Sequence, residues 1–127
     1  MKFRYTILYV PSVEQTLAFY EKAFGCTRAF LHESGDYGEL DTGETKLAFS
    51  SLELMTSLGK HPSSGNAQSP NFEIAFETGD VAGHLARALE AGAELVQDTE
   101  HMPWGQTTAY VRDLNGYLVE ICTPVGG

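Results

Sequence analysis

Glu120 stands between Val119 and Ile121 in the run Leu118-Val-Glu-Ile-Cys122. In an alternating strand Val119 and Ile121 turn to one face and Glu120 to the other. A carboxylate so placed has three chemical uses. It can ligate a hard metal ion, act as a general base, or form the polar wall of a partly solvated pocket. Glu73 raises the same question in Phe72-Glu-Ile-Ala-Phe-Glu77, where Glu73, Ala75 and Glu77 share one face and Phe72, Ile74 and Phe76 the other. The plainer alternative puts Glu73 on a wet face and pairs Glu120 with Arg112 or Lys46.

Aromatic groups offer a different chemistry. The single tryptophan, Trp104, lies in Met102-Pro-Trp-Gly-Gln106. An indole beside a glycine can form a flat wall for an aromatic or cationic ligand, or else plug a loop or subunit contact. Gln106 is expected to add a hydrogen bond at the mouth of such a site. Tyr5, Tyr37 and Tyr110 are candidates for further aromatic surface, and Tyr37, after Gly35-Asp36, alternatively lies on an exposed strand edge. The four histidines are scattered: His32 at a strand end, His61 in a loop, His84 in the first turn of a helix, and His101 in a turn before Met102-Pro103. Cys26 and Cys122 match no metal-binding spacing and are expected to be reduced, half-buried apolar groups.

The elements that position these residues occur twice. The first pass begins with a strand-like Tyr5–Val10. A helix follows, capped by Ser12 with Gln15 three residues on as a capping box. Its apolar face is Val13, Leu17, Tyr20 and Phe24, and Gly25 stops it. Strands are predicted at Arg28–His32, Tyr37–Asp41 and Lys46–Ser50, separated by turns at Ser34-Gly-Asp36 and Thr42-Gly43. The second pass starts at Phe72–Glu77. Asp80 caps a helix carrying Val81, Leu85, Ala88 and Leu89, Gly92 ends it, and strands are predicted at Glu94–Gln97, Thr107–Arg112 and Tyr117–Cys122. The fold class is therefore α+β: two tandem βαβββ modules forming a curled mixed sheet with a concave cleft. The modules run approximately over 1–52 and 72–125 of one domain. The connecting loop, 53–71, has a short helical turn at Leu52, Leu54, Met55 and Leu58, followed by a stretch rich in Gly, Ser and Pro.

Bulk properties narrow the function. The 127 residues suit a single domain. A net charge of −9 argues against nucleic acid and against an anionic membrane surface as partners. It suits a cationic ligand, since an acidic cleft concentrates cations. No apolar run reaches the about 18 residues a membrane helix needs. The opening MKFRYTILYVPSV is broken by polar residues and Pro11, unlike a signal peptide. A cytoplasmic protein is expected.

The stretches ILYVPSVEQTLAFYEKAFG, FEIAFETGDVAGHLARALEAGAE and PWGQTTAYVRDLNGYLVEI, together with the duplication, resemble the vicinal oxygen chelate superfamily over nearly the whole chain. That superfamily includes glyoxalase I, extradiol dioxygenases, fosfomycin-resistance enzymes and bleomycin-resistance proteins. The resemblance implies metal-ligand positions on the first and last strand of each repeat. Here they fall on Tyr5, Glu73, Glu120 and, within one residue, Ala48. Three of the four depart from the pattern, and Glu120 alone keeps it. The resemblance also places Glu120 on the concave face with Glu73. Two carboxylates there would repel, so one should hold its proton to higher pH.

Two functions follow as expectations. The first is a small-molecule binder of the bleomycin-resistance type, taking an aromatic or cationic ligand. Glu73 and Glu120 are its acidic groups, with Tyr5, Tyr37, Trp104, Gln106 and Tyr110 around the ligand. No cofactor is expected, because two carboxylates and a neutral phenol are a poor set for a catalytic divalent ion. The alternative is a metal-dependent lyase or isomerase like glyoxalase I, or a dioxygenase-like enzyme. Glu120 would then be ligand or base, with Glu73, Glu120 and Tyr5 as the ligand set. A third reading is metal-free acid–base chemistry by Glu73 and Tyr5. The resemblance further implies a homodimer, with clefts built from both chains.

Overall fold

The computed structural model describes residues 1–126. It divides into two compact units, Met1–Ser64 and Gly65–Gly127. In the first, strand β1 (Tyr5–Val10) leads through Pro11-Ser12 into helix α1 (Val13–Phe24), followed by β2 (Thr27–Leu31), β3 (Tyr37–Asp41), β4 (Lys46–Ser51) and a short α2 (Leu52–Ser57). In the second, β5 (Ile74–Glu77) precedes α3 (Val81–Glu90), β6 (Glu94–His101), β7 (Thr107–Arg112) and β8 (Leu118–Cys122). Each unit is thus a βαβββ module, and each sheet is mixed. The strand orders are β1-β4-β3-β2 and β5-β8-β7-β6, with the first and last strands of each module parallel.

Local chemistry accounts for the helices. Ser12 Oγ accepts the Gln15 amide at 3.2 Å, as an N-cap should. Gly25 ends α1 in the left-handed region at φ 70°, which lets its amide and that of Cys26 return to the Tyr20 carbonyl. Asp80 Oδ1 accepts the Gly83 amide at 2.9 Å and starts α3. The periodic faces then bury. Val13, Leu17 and Tyr20 pack with Leu8, Val10, Leu40 and Phe49 in the first unit, where the Tyr20 and Phe49 rings lie 5.2 Å apart. Val81, Leu85 and Ala88 are buried in the second, as are Ala109, Val111, Val119 and Ile121.

One close approach fixes how α1 sits on its sheet. A Cβ on Gly38 of β3 would lie 2.7 Å from Leu17 Cδ1 and 3.0 Å from Val13 Cγ1. Gly38→Ala should therefore overpack the helix–sheet seam and cost roughly 1–3 kcal/mol. Urea denaturation checks this. A midpoint equal to wild type would show that Leu17 can move aside freely.

Several predicted strand boundaries need correction: β2 is Thr27–Leu31 rather than Arg28–His32, and β4 runs one residue further, to Ser51. β5 starts at Ile74, two residues later than expected. β8 begins at Leu118 because Tyr117 closes the Asp113 turn, so Phe72 has no strand partner and its ring meets Tyr117 at 5.7 Å instead. β6 runs on to His101, four residues beyond Gln97. Residues 98–101 are polar and carry no alternation, and β6 pairs with β7 through two register shifts, between Leu95 and Gln97 and between Gln97 and Glu100. His101 accordingly ends a strand rather than lying in a turn, with its Nδ1 2.7 Å from Thr107 Oγ1. In the connecting segment the expected short helical turn is α2, Leu52–Ser57. The end of that segment is tied to β7 by Arg112, whose Nε donates to the Ala67 carbonyl at 3.1 Å.

Candidate functional site

Pairing register decides which residues share a face. In the second unit Ala75, Glu120 and Tyr110 lie side by side across β5, β8 and β7, and Glu77, Cys122 and Thr108 form the next row. The rows between them, Ile74-Val119-Val111 and Phe76-Ile121-Ala109, turn to the other face, where Val111, Val119, Ala109 and Ile121 are buried. Glu120 therefore stands on the helix-free face of its sheet, as alternation required.

Glu73, just ahead of β5, belongs to the same group. Its carboxyl hydrogen-bonds Glu120, and Tyr110 Oη donates to its Oε2 at 3.4 Å. Although Glu73 as a residue is exposed, its carboxyl is partly dehydrated. That burial, followed by the Glu120 charge and the hydrogen bond between the two, raises its pKa. The Tyr110 bond acts weakly the other way. A hydrogen bond between two carboxyl groups requires a proton on one of them. Loss of hydration and the adjacent carboxylates also push the Tyr110 phenol up, so it stays a neutral donor. Cys122 is raised by burial and then by Glu120, Glu77 and Glu73, which makes it an inert thiol rather than a nucleophile.

The cations expected to pair with Glu120 are engaged elsewhere. Arg112 Nη1 goes to Glu94 and Lys46 Nζ goes to Glu39 at 3.0 Å. Among the described residues, neither Glu73 nor Glu120 is in an ion pair.

The remaining candidates lie in two places. Gln106 and Trp104 are in the β6–β7 turn, where Met102 N–H reaches the Gln106 carbonyl at 2.7 Å. Trp104 is 56% exposed, and its Nε1 donates to Gln106 Oε1 at 2.8 Å. Gln106 Nε2 donates to the Thr123 carbonyl, also at 2.8 Å. Its amide is thus committed inside the protein.

Tyr5 and Tyr37 belong to the first unit. Its helix-free face carries the rows Tyr5-Lys46-Asp41, Ile7-Ala48-Glu39 and Tyr9-Ser50-Tyr37. Burial, and then the 2.8 Å bond that Tyr37 Oη donates to Glu39 Oε2, raises the phenol; that bond and Lys46 lower Glu39 against its own partial burial. Lys46 lies 5.9 Å from the Tyr5 ring centroid. Tyr37 is half-buried and hydrogen-bonded, not an exposed edge residue. Glu39 was absent from the expected set, although alternation through Tyr37, Glu39 and Asp41 would have found it.

Register also tests the repeat. Tyr5 stands two residues before Ile7, the partner of Ala48, and Glu73 stands two residues before Ala75, the partner of Glu120. Tyr5 thus corresponds to Glu73, and Ala48 corresponds to Glu120.

Those four positions are the ones where the resemblance implied metal ligands. The donors present do not fit a catalytic divalent ion. The second module offers two adjacent carboxyls, the Glu73 one with a raised pKa, and a neutral phenol. Among the described residues no three His, Cys, Asp or Glu side chains are grouped to hold a metal.

A family model for the glyoxalase-like domain matches residues 3–126. The chain belongs to this family. A relative within reach of sequence comparison is YraH of Bacillus subtilis, 29% identical over 125 residues, covering 95% of this chain and 97% of YraH. Solved structures share the family fold. A glyoxalase-related enzyme from Fulvimarina pelagi matches with TM-score 0.81 at 22% identity, covering 97% of this chain and 88% of its own. A glyoxalase/bleomycin resistance protein/dioxygenase family enzyme from Burkholderia phytofirmans matches with TM-score 0.80 at 21% identity, over 94% and 95%. TioX from Micromonospora matches with TM-score 0.75 at 22% identity, over 97% and 98%. At these identities the likeness shows the glyoxalase/bleomycin resistance fold. No described helix is long and apolar enough to cross a membrane.

Proposed function

We propose that this glyoxalase-like protein is a small-molecule binder that takes an organic cation on the helix-free face of its second sheet. Glu73 and Glu120 form the acidic centre, and Tyr110 orients Glu73. Trp104 supplies aromatic surface. One observation carries this reading: burial and the adjacent Glu120 carboxyl raise the Glu73 pKa, Tyr110 Oη donates to Glu73 at 3.4 Å, and among the described residues neither carboxyl is in an ion pair. An ammonium or guanidinium would supply the missing positive charge. Tyr5 and Tyr37 add aromatic surface on the first sheet, as bleomycin-resistance-like binding of an aromatic ligand would use. No resident metal is needed. The chain is proposed to work in the cytoplasm as a homodimer assembled through the edge strands of its sheets, and sedimentation as a monomer at micromolar concentration would contradict that assembly.

The test is a titration of the full chain with cationic glycopeptides and simpler aromatic amines, following Trp104 fluorescence and heat. Saturable binding that weakens with salt is expected. Absence of saturation with every cation would overturn the reading.

Catalysis is the second reading, and the Tyr110–Glu73–Glu120 chain favours it, since a carboxyl of raised pKa beside a neutral phenol is an acid–base arrangement. Glu120 would act as base in a lyase or isomerase reaction like that of glyoxalase I, or in a dioxygenase-like one. Metal analysis of protein purified without chelators, with assays after adding Ni²⁺, Zn²⁺, Mn²⁺ or Mg²⁺, separates a metal-dependent form of this reading from binding alone.

A further inference from the structure

Gln106, Thr108 and Tyr110 alternate onto one face, so Gln106 lies on the face of the carboxyl pair, two rows from Tyr110. Its side chain also meets the Cys122 thiol, and Cys122 is the residue after next from Glu120. Both ends of its amide are used: Oε1 accepts from the Trp104 indole and Nε2 donates to the Thr123 carbonyl, each at 2.8 Å. The Thr123 hydroxyl in turn accepts the Thr107 amide at 3.0 Å, which fixes that carbonyl's residue to the start of β7. An exposed indole in a five-residue turn would ordinarily swing through several rotamers. Here a side-chain amide anchored to a strand holds its N–H.

We propose that Gln106 is a positioning residue that fixes the Trp104 indole at one end of the acidic face, so that the preferred ligand is an organic cation carrying an aromatic ring several atoms from its charge. The proposal rests on the cation-binding reading above. Successive same-face residues on a strand are separated by roughly 6.5–7 Å. Gln106 is two such steps from Tyr110, the partner of Glu120, so the residue that holds the indole stands on the order of 13–14 Å along the sheet from the row of the carboxyl pair. A ring joined to its ammonium by one carbon cannot reach both groups, whereas a chain of five or six carbons can.

The experiment compares butylammonium, benzylammonium and 6-phenylhexylammonium on wild type, Gln106→Ala and Trp104→Leu, together with the fluorescence anisotropy decay of Trp104. Wild type should prefer 6-phenylhexylammonium over benzylammonium by about tenfold, the size of one well-placed ring contact. Gln106→Ala should reduce that preference to about twofold and add a fast component to the indole decay. Trp104→Leu should abolish the preference in the same way. An unchanged indole decay in Gln106→Ala would overturn the positioning role. Equal affinity for the two aryl ammonium ions in wild type would overturn the ligand geometry while leaving cation binding intact. Failure of all three ions to bind overturns both the cation-binding reading and the ligand geometry, with the decay still deciding Gln106.

Discussion

Glu120→Gln is expected to weaken binding of an organic cation by about 10- to 100-fold, or roughly 1.4–2.7 kcal/mol, with little change in thermal stability. The substitution keeps size and hydrogen-bonding capacity but removes one of the two carboxyls. In the wild type burial and the neighbouring Glu120 raise the Glu73 pKa, and an ammonium placed between the two side chains would relieve their repulsion. In the variant Glu73 faces an amide, and the cation meets one carboxylate at most. Glu120 lies on the helix-free face, away from the buried Val119 and Ile121, so the core should not notice. Calorimetric titration of both proteins, alongside their melting curves, checks the two halves of this expectation. A lower melting temperature with unchanged affinity would make Glu120 a structural residue.

Much of this was readable from residue types and spacing. Helices α1 and α3 were legible because caps, apolar steps and glycine stops all agree at Ser12, Gly25, Asp80 and Gly92. β3 and β7 were legible because short alternating runs lie between turn residues. β6 was not, since Gln97-Asp-Thr-Glu-His101 has no apolar period and owes its extension to β7. The site divides in the same way. Alternation along 72–77 put Glu73 on the face opposite Phe72, Ile74 and Phe76, and the family resemblance put Glu120 on the same concave face. Tyr110 was grouped with other aromatic residues, and its bond to Glu73 depends on the register that sets it beside Glu120. Gln106 was expected to serve a ligand directly, but its amide is spent on Trp104 and Thr123. Such commitments depend on side-chain directions that no one-dimensional pattern encodes.

Cation affinity should rise with pH, by up to about tenfold per pH unit, until Glu73 has lost its proton. A bound ammonium must expel that proton wherever Glu73 still carries it, so proton and ligand compete for one site. Glu73 is held above the usual carboxylate range, so the competition reaches further toward neutrality than an isolated glutamate would allow. Stability should move in the opposite sense. A carboxyl whose pKa is raised by folding binds more protons in the native than in the unfolded state between the two values. Its contribution is complete below the unfolded pKa and is lost as pH climbs through the folded one. Glu39, lowered by its Tyr37 and Lys46 bonds, contributes above its unfolded pKa and loses that contribution as pH falls through its folded value. Glu73→Gln should therefore flatten the pH dependence of affinity and remove the alkaline-side penalty, while the acid-side loss from Glu39 persists. Because Glu73 is exposed, solvent screening keeps the stability gain from this variant below about 1 kcal/mol. Its effect on the affinity profile is much larger. Titrations from pH 4 to 8 on wild type and Glu73→Gln decide the matter. Parallel profiles would show that Glu73 carries no competing proton.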